Sequence, residues 1–125
     1  MIFLTAKEIL KIHGKLTERT GGSAGLRDQN LLESSVYSAM AVFGDSEAYP
    51  TIEEKAARLM YSLTNNHAFV DGNKRIGVLV MLMTLQLNGV ELKFTQSELT
   101  DFGLSVADGT LDYDAILLWI NNHRS

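Results

Sequence analysis

Nine consecutive residues, His67-Ala68-Phe69-Val70-Asp71-Gly72-Asn73-Lys74-Arg75, hold an imidazole, a carboxylate, a glycine, a carboxamide and two cations. An imidazole titrates near neutrality, so His67 can take a proton from a hydroxyl. Asp71 offers the hard carboxylate oxygen that Mg²⁺ prefers. Gly72 permits positive φ or a close backbone approach to a ligand. Asn73 can cap the helix that follows and hydrogen-bond a phosphate oxygen. Lys74 and Arg75 add side-chain charge beside the first N–H groups of that helix, which have no intrahelical acceptor and attract anions. Phe69 is apolar within a polar loop and serves to plug the loop into the core. The chemistry these residues suit is transfer of a phosphate-containing group from a nucleotide to a hydroxyl. His67 is the base, Asp71 the Mg²⁺ ligand, and Gly72, Asn73, Lys74 and Arg75 the phosphate binders.

Each residue alone has an ordinary explanation. A histidine at a helix end interacts with carbonyls, Asp-Gly is a common turn, and Lys-Arg is a common solvated face. Two cations at a helix N-terminus, however, oppose the helix dipole unless an anion sits there. Such a conflict with local rules marks a functional site.

Helices must flank this loop to present it. Thr5 and Glu8 form a capping-box pattern that opens a helix through Ile9, Leu10, Ile12 and Leu16, stopped by Gly21-Gly22. His13 within it reads as a core-edge or surface residue. A second helix begins at Asp28, with the stripe Leu31, Leu32, Val36, Met40 and Val42-Phe43 at its end. The segment from Gly44 to Pro50 is loop. Thr51 and Glu54 open a third helix ending near Asn65-Asn66. The helix after the motif, from about Asn73 to Gln86, is apolar nearly all round, which predicts a central, buried helix. Thr95 and Glu98 start a fifth helix, which frays by Asp108-Gly109. A sixth runs from about Asp112 to Asn122. No strand pair is predicted. The expected fold is all-α, a single compact bundle of about six helices over residues 1–125.

Composition sets outer limits. At 125 residues the chain fits one domain with its own core, and 46% hydrophobic with 21% charged residues is a globular balance. The absence of cysteine removes disulfides and thiolate metal sites and fits a reducing cytoplasm. A net charge of −4 argues against a nucleic-acid-binding surface. The longest apolar run, Val78 to Met83, is far too short to span a membrane.

The loop resembles the signature of the Fic/Doc superfamily, H-x-F-x-(D/E)-G-N-G-R-x-x-R. His67, Phe69, Asp71, Gly72, Asn73 and Arg75 match, while Lys74 replaces the second glycine and Val78 the last arginine. Both departures resemble the Doc (death-on-curing) branch, whose loop ends in Asn-Lys-Arg. Gly25-Leu26-Arg27-Asp28, Leu31-Leu32-Glu33-Ser34 and Leu87-Asn88-Gly89 are similar to that branch as well. Ile76-Gly77 stands where Doc-like loops more often carry Thr-Ala.

The resemblance implies a toxin kinase that uses Mg²⁺ and ATP, phosphorylates a threonine of elongation factor Tu, and is neutralised by a Phd-like antitoxin. It also implies a base at His67, a metal ligand at Asp71 and phosphate binders at Asn73, Lys74 and Arg75. By position, Gly44 to Tyr49 resembles the flap that aligns a target peptide by strand addition; an ordinary surface loop is the alternative. Arg27 and Asp28 either border the site or cap the second helix. The inhibitory pattern (S/T)-x-x-x-E-(G/N) of many Fic proteins is absent. Two other functions fit the fold: an AMP or other nucleotidyl transferase, and a catalytically silent binding module.

Overall fold

The computed structural model describes residues 1–125. Its elements in chain order are α1 (Ala6–Thr20), α2 (Gln29–Ser38), β1 (Val42–Phe43), β2 (Ser46–Glu47), α3 (Ile52–Asn65), α4 (Asn73–Leu87), α5 (Gln96–Ala107) and α6 (Tyr113–Asn122). The three Thr-x-x-Glu pairs are all formed. Thr5, Thr51 and Thr95 each accept the N–H of the glutamate three residues on, and each glutamate carboxylate accepts the threonine N–H in return. Asp28 and Asp112 cap α2 and α6 through a single side-chain bond. Every helix start except that of α4 is therefore closed by a side chain.

The helices α3 and α4 form the middle of the bundle. One apolar cluster lies on the α1–α2 side and includes Ile9, Leu32, Leu63, Phe69, Ile76 and Val80. A second lies on the α5–α6 side and includes Met60, Met81, Leu85, Phe102, Ile116 and Ile120. The sequence predicts α4 as the central helix. In the structure α3 shares that place, because it packs against α2, α4, α5 and α6. The close approach of the pair depends on Gly77: a Cβ there would meet Met60 O at 3.2 Å and crowd Thr64 Oγ1. Gly77 therefore removes the bulk that would separate the two helices.

Two sequence expectations change. Val42-Phe43 does not extend α2; it pairs antiparallel with Ser46-Glu47 around Gly44-Asp45. Strands of two residues are too short for alternation to reveal them. This hairpin flanks α3. It leaves from beside Ser62, which contacts Ser38 at 3.0 Å. It returns to buried Lys55, whose Nζ donates to Glu47 Oε1 at 2.9 Å and to the Tyr49 carbonyl. The inner face of α1 is Ile9, His13 and Thr17, at i, i+4 and i+8. His13 is thus 0% exposed and not at the core edge or surface.

Candidate active site

The nine-residue motif spans the turn from α3 to α4. Helix α3 ends at Asn65, Asn66 is still αR, and His67 then takes φ = 53°. It is the only non-glycine residue with positive φ, a conformation that favours glycine and costs an ordinary residue roughly 1–3 kcal/mol. Surrounding bonds hold it there. Arg27 Nε donates to the His67 carbonyl at 2.7 Å and Nη2 to the Asn66 carbonyl at 3.4 Å. The N–H groups of Arg27 and Asp28 both donate to Ala68 O, and Val70 N–H donates to Gly25 O at 2.9 Å. Arg27 places its charge on the exposed carbonyls at the C-terminus of α3, where a cation is favoured. Asp28 caps α2, while Arg27 fixes the loop; the sequence left these two roles open.

Phe69 does plug the loop into the core. It is 1% exposed and stacks on the His13 ring at 3.7 Å and 12°. Asn73 does not cap α4. Its Oδ1 accepts Phe69 N–H at 3.1 Å and its Nδ2 donates to Phe69 O at 3.0 Å. Both edges of the amide thus clamp the loop, and one Nδ2 proton is left over. The N-cap is Gly72, at φ = 77° and without a side-chain cap bond. The backbone N–H groups of Asn73, Lys74 and Arg75 meet no protein acceptor. They stand at the start of a helix that has no acid in its first turn.

Asp71 Oδ1 accepts the Gly72 N–H at 2.8 Å, whereas Oδ2 takes no protein donor. Gly22, beyond the end of α1, lies so close to Oδ2 that a Cβ there would collide with it. A free carboxylate oxygen beside open backbone is a fitting ligand for a cation. No group of three His, Asp or Glu side chains able to hold a metal ion forms anywhere in the structure, at Asp71 included. Mg²⁺ is commonly held by one or two carboxylates together with substrate phosphates. Asp71 therefore suits an ion that arrives with a nucleotide.

These residues line one cleft of about 580 Å³. Its walls bring together His67, Asp71, Gly72, Asn73, Lys74 and Arg75, with Thr20, Gly21 and Gly22 from the end of α1, Thr64 from α3, and Leu104 and Ala107 from α5. The size is that of a small-molecule site. The Lys74 stem runs beside Gly103 of α5, with its Cγ and Cδ 3.8 Å from where a Cβ would be. Val78, one turn on, packs against the same glycine and the α5–α6 cluster, and it does not line the cleft. Arg75 Nη1 donates to Thr20 Oγ1 at 3.4 Å.

Sequence reasoning missed the contributions of His13, Thr20, Gly22, Thr64 and Leu104. Only His13 left a readable trace, its i+4 spacing from Ile9. The others reach the cleft through packing of elements distant in sequence.

The Fic/DOC family model matches residues 3–85. Toxin Doc of Mycolicibacterium smegmatis (strain ATCC 700084 / mc(2)155) is 39% identical over 98 residues, which cover 77% of this chain and 75% of that protein.

Proposed function

From the premise that this chain belongs to the Fic/DOC family, we propose that it is the toxin of a toxin–antitoxin pair. In this reading it transfers the γ-phosphate of ATP to a threonine hydroxyl of elongation factor Tu and so inhibits translation. A Phd-like antitoxin is its partner. The observation that carries the kinase reading is Lys74. The family pattern has glycine there, and a glycine leaves space beside the phosphates. Lys74 fills that space, and its stem, held against α5, brings a cation to the cleft. That favours a terminal phosphate at the acceptor end over the α-phosphate of an AMP donor. Val78 supports the same reading, since the second phosphate clamp of AMP-transferring members is missing and its position is occupied by apolar packing.

The step is an in-line displacement. The acceptor oxygen attacks the γ-phosphorus, the bond from that phosphorus to the β–γ bridging oxygen breaks, and ADP leaves with the electron pair. His67, exposed at the cleft mouth with its backbone fixed by Arg27, accepts the hydroxyl proton. The free N–H groups of Asn73, Lys74 and Arg75, the spare Asn73 Nδ2 proton and the two cationic side chains bind phosphate oxygens in fixed positions. Asp71 would hold Mg²⁺, which would neutralise phosphate charge. The turn at Gly72 sets the direction of the first amides.

The test combines purified protein, Mg²⁺, elongation factor Tu and ATP labelled at either the α- or the γ-phosphate, with His67→Ala as control. Transfer of the γ-label alone, lost in the variant, is the expected result. Transfer of the α-label would make the protein an AMP transferase. Label on other proteins of an extract would remove the assigned target, and no label on any protein would leave a silent binding module.

A further inference from the structure

We propose that His13 is a positioning residue for the active site: from inside the core it fixes the Asp71–Gly72 peptide, and through it the Asp71 carboxylate and the first amides of α4. The inference rests on the site reading above and deepens it. His13 lies on α1, 58 residues away in sequence, and is 0% exposed. Its Nε2 lies 2.7 Å from the Asp71 carbonyl oxygen. A carbonyl can only accept, so Nε2 carries the proton and donates. The ring face stacks on Phe69, whose backbone N–H and carbonyl the Asn73 amide clamps. A Cβ on Gly72 would come within 3.3 Å of Nε2. The imidazole thus touches three successive features of the loop: its plug, its metal-ligand residue and its glycine.

The other ring nitrogen shows that His13 is more than filler. Nδ1 is buried and has no hydrogen-bond partner. An apolar side chain would fill the space without leaving a polar atom unsatisfied. What imidazole adds, and phenyl cannot, is one directed donor to the Asp71 carbonyl. Outer partners of this kind orient ligating groups, and removing them typically costs 10–100-fold in affinity. Further along, the C-terminal end of α1 and the residues after it bring Thr20 to Arg75 and Gly22 to Asp71. His13 is therefore the buried member of a set of contacts through which α1 shapes the cleft.

The experiment compares His13→Phe, which keeps an aromatic ring on Phe69 but removes the donor and is bulkier than imidazole, with His13→Gln, whose amide nitrogen can reach the position of Nε2, and with the smaller donor-free His13→Leu, which must show the same amide changes as His13→Phe. The first readout is amide NMR of the ¹⁵N-labelled full chain. The Gly72 and Asn73 signals should be sharp in wild type and His13→Gln, and broadened or fast-exchanging in His13→Phe, with the helical signals unchanged. The second is calorimetric binding of the non-hydrolysable analogue AMP-PNP with Mg²⁺. Affinity should fall about 10–100-fold in His13→Phe and only a few-fold in His13→Gln. Unchanged Gly72 and Asn73 amides in His13→Phe would overturn the proposal, as would wild-type affinity in that variant. Wild type that binds no Mg²⁺–nucleotide would sink the phosphotransfer reading instead, and the amide signals alone would then decide the role of His13.

Discussion

Helices α3 and α4 lie side by side and start in opposite ways. At α3, Thr51 and Glu54 close the first turn with reciprocal bonds, and two acids, Glu53 and Glu54, face the positive end of the dipole. At α4, the cap is a left-handed glycine, three N–H groups are free, and the first turn carries Lys74 and Arg75. The same solution used at α3 recurs at α1 and α5, so the chain has it available. Its absence at α4 leaves free N–H groups and two cations against the dipole, a loss of stability that the proposed phosphate binding would offset. The price is taken where the turn is over-determined by Arg27, Asn73 and His13.

The largest effect comes from making α4 start like α3. Lys74→Glu should lower γ-phosphate transfer by roughly 10²–10³-fold, the scale of losing one charge-stabilising group. Because it corrects the dipole mismatch, it should also raise stability by about 0.3–1 kcal/mol. Steady-state kinetics and urea unfolding on the same preparation test both signs together. If activity and stability fall together, the α4 start is not a trade between function and folding.

A smaller break is Gly72→Ala. The φ of 77° disfavours a side chain by about 1–2 kcal/mol, and the new methyl group would press on His13 Nε2. Stability should drop by about that amount, with a larger proportional loss of Mg²⁺–nucleotide affinity than of melting temperature. Equal wild-type affinity would mean that the turn does not aim the amides.

The third change weakens the capped starts. Thr5→Ala and Thr95→Ala should each cost about 1 kcal/mol. The double variant should lose close to the sum, because the two caps share no partner. Transfer activity, measured well below the unfolding temperature, should stay at the wild-type level. A loss of activity would show that the caps and the cleft are coupled.

What could be read from the sequence follows the same division. Capping boxes are local, four residues long and written in residue type, so α1, α3 and α5 start at the residues expected. The six helices and the grouping of His67 with Asp71 through Arg75 were legible for the same reason. The hairpin at residues 42–47 was not, because its register depends on Lys55 reaching Glu47 and Tyr49 from another element. The true task of Asn73 was hidden as well: a side chain that clamps the loop and one that caps a helix have the same one-letter code. Gly22 and Thr64 enter the site across distances that no periodicity encodes, and the i+4 spacing of His13 from Ile9 marks it as buried without saying what it meets.

The smallest effect concerns the one capping box joined to a histidine. His123 stacks on Trp119 at 4.0 Å, its Nδ1 contacts the Trp119 carbonyl at 2.7 Å, and its Nε2 reaches Glu98 at 2.9 Å. The Trp119 carbonyl raises the imidazole above its ordinary 6.5, partial burial opposes this, and Glu98 adds to it. The His123 bond and the Thr95 bonds hold Glu98 below its ordinary 4.5. A raised pKa contributes stability that is complete below about 6.5 and is lost as pH rises through the folded value. A lowered carboxyl contributes stability that is present above about 4.5 and is lost as pH falls through the folded value. The two windows overlap between about pH 4.5 and 6.5, where the α5–α6 contact should be strongest. Thermal unfolding should therefore show a small decline as pH rises above about 6.5 that His123→Phe abolishes. The Glu8 box, whose carboxyl is lowered chiefly by the Thr5 N–H and has no histidine partner, should contribute nothing to that decline. If Glu8→Gln removes the decline as fully as His123→Phe does, the pH dependence belongs to the capping box and not to the α5–α6 contact.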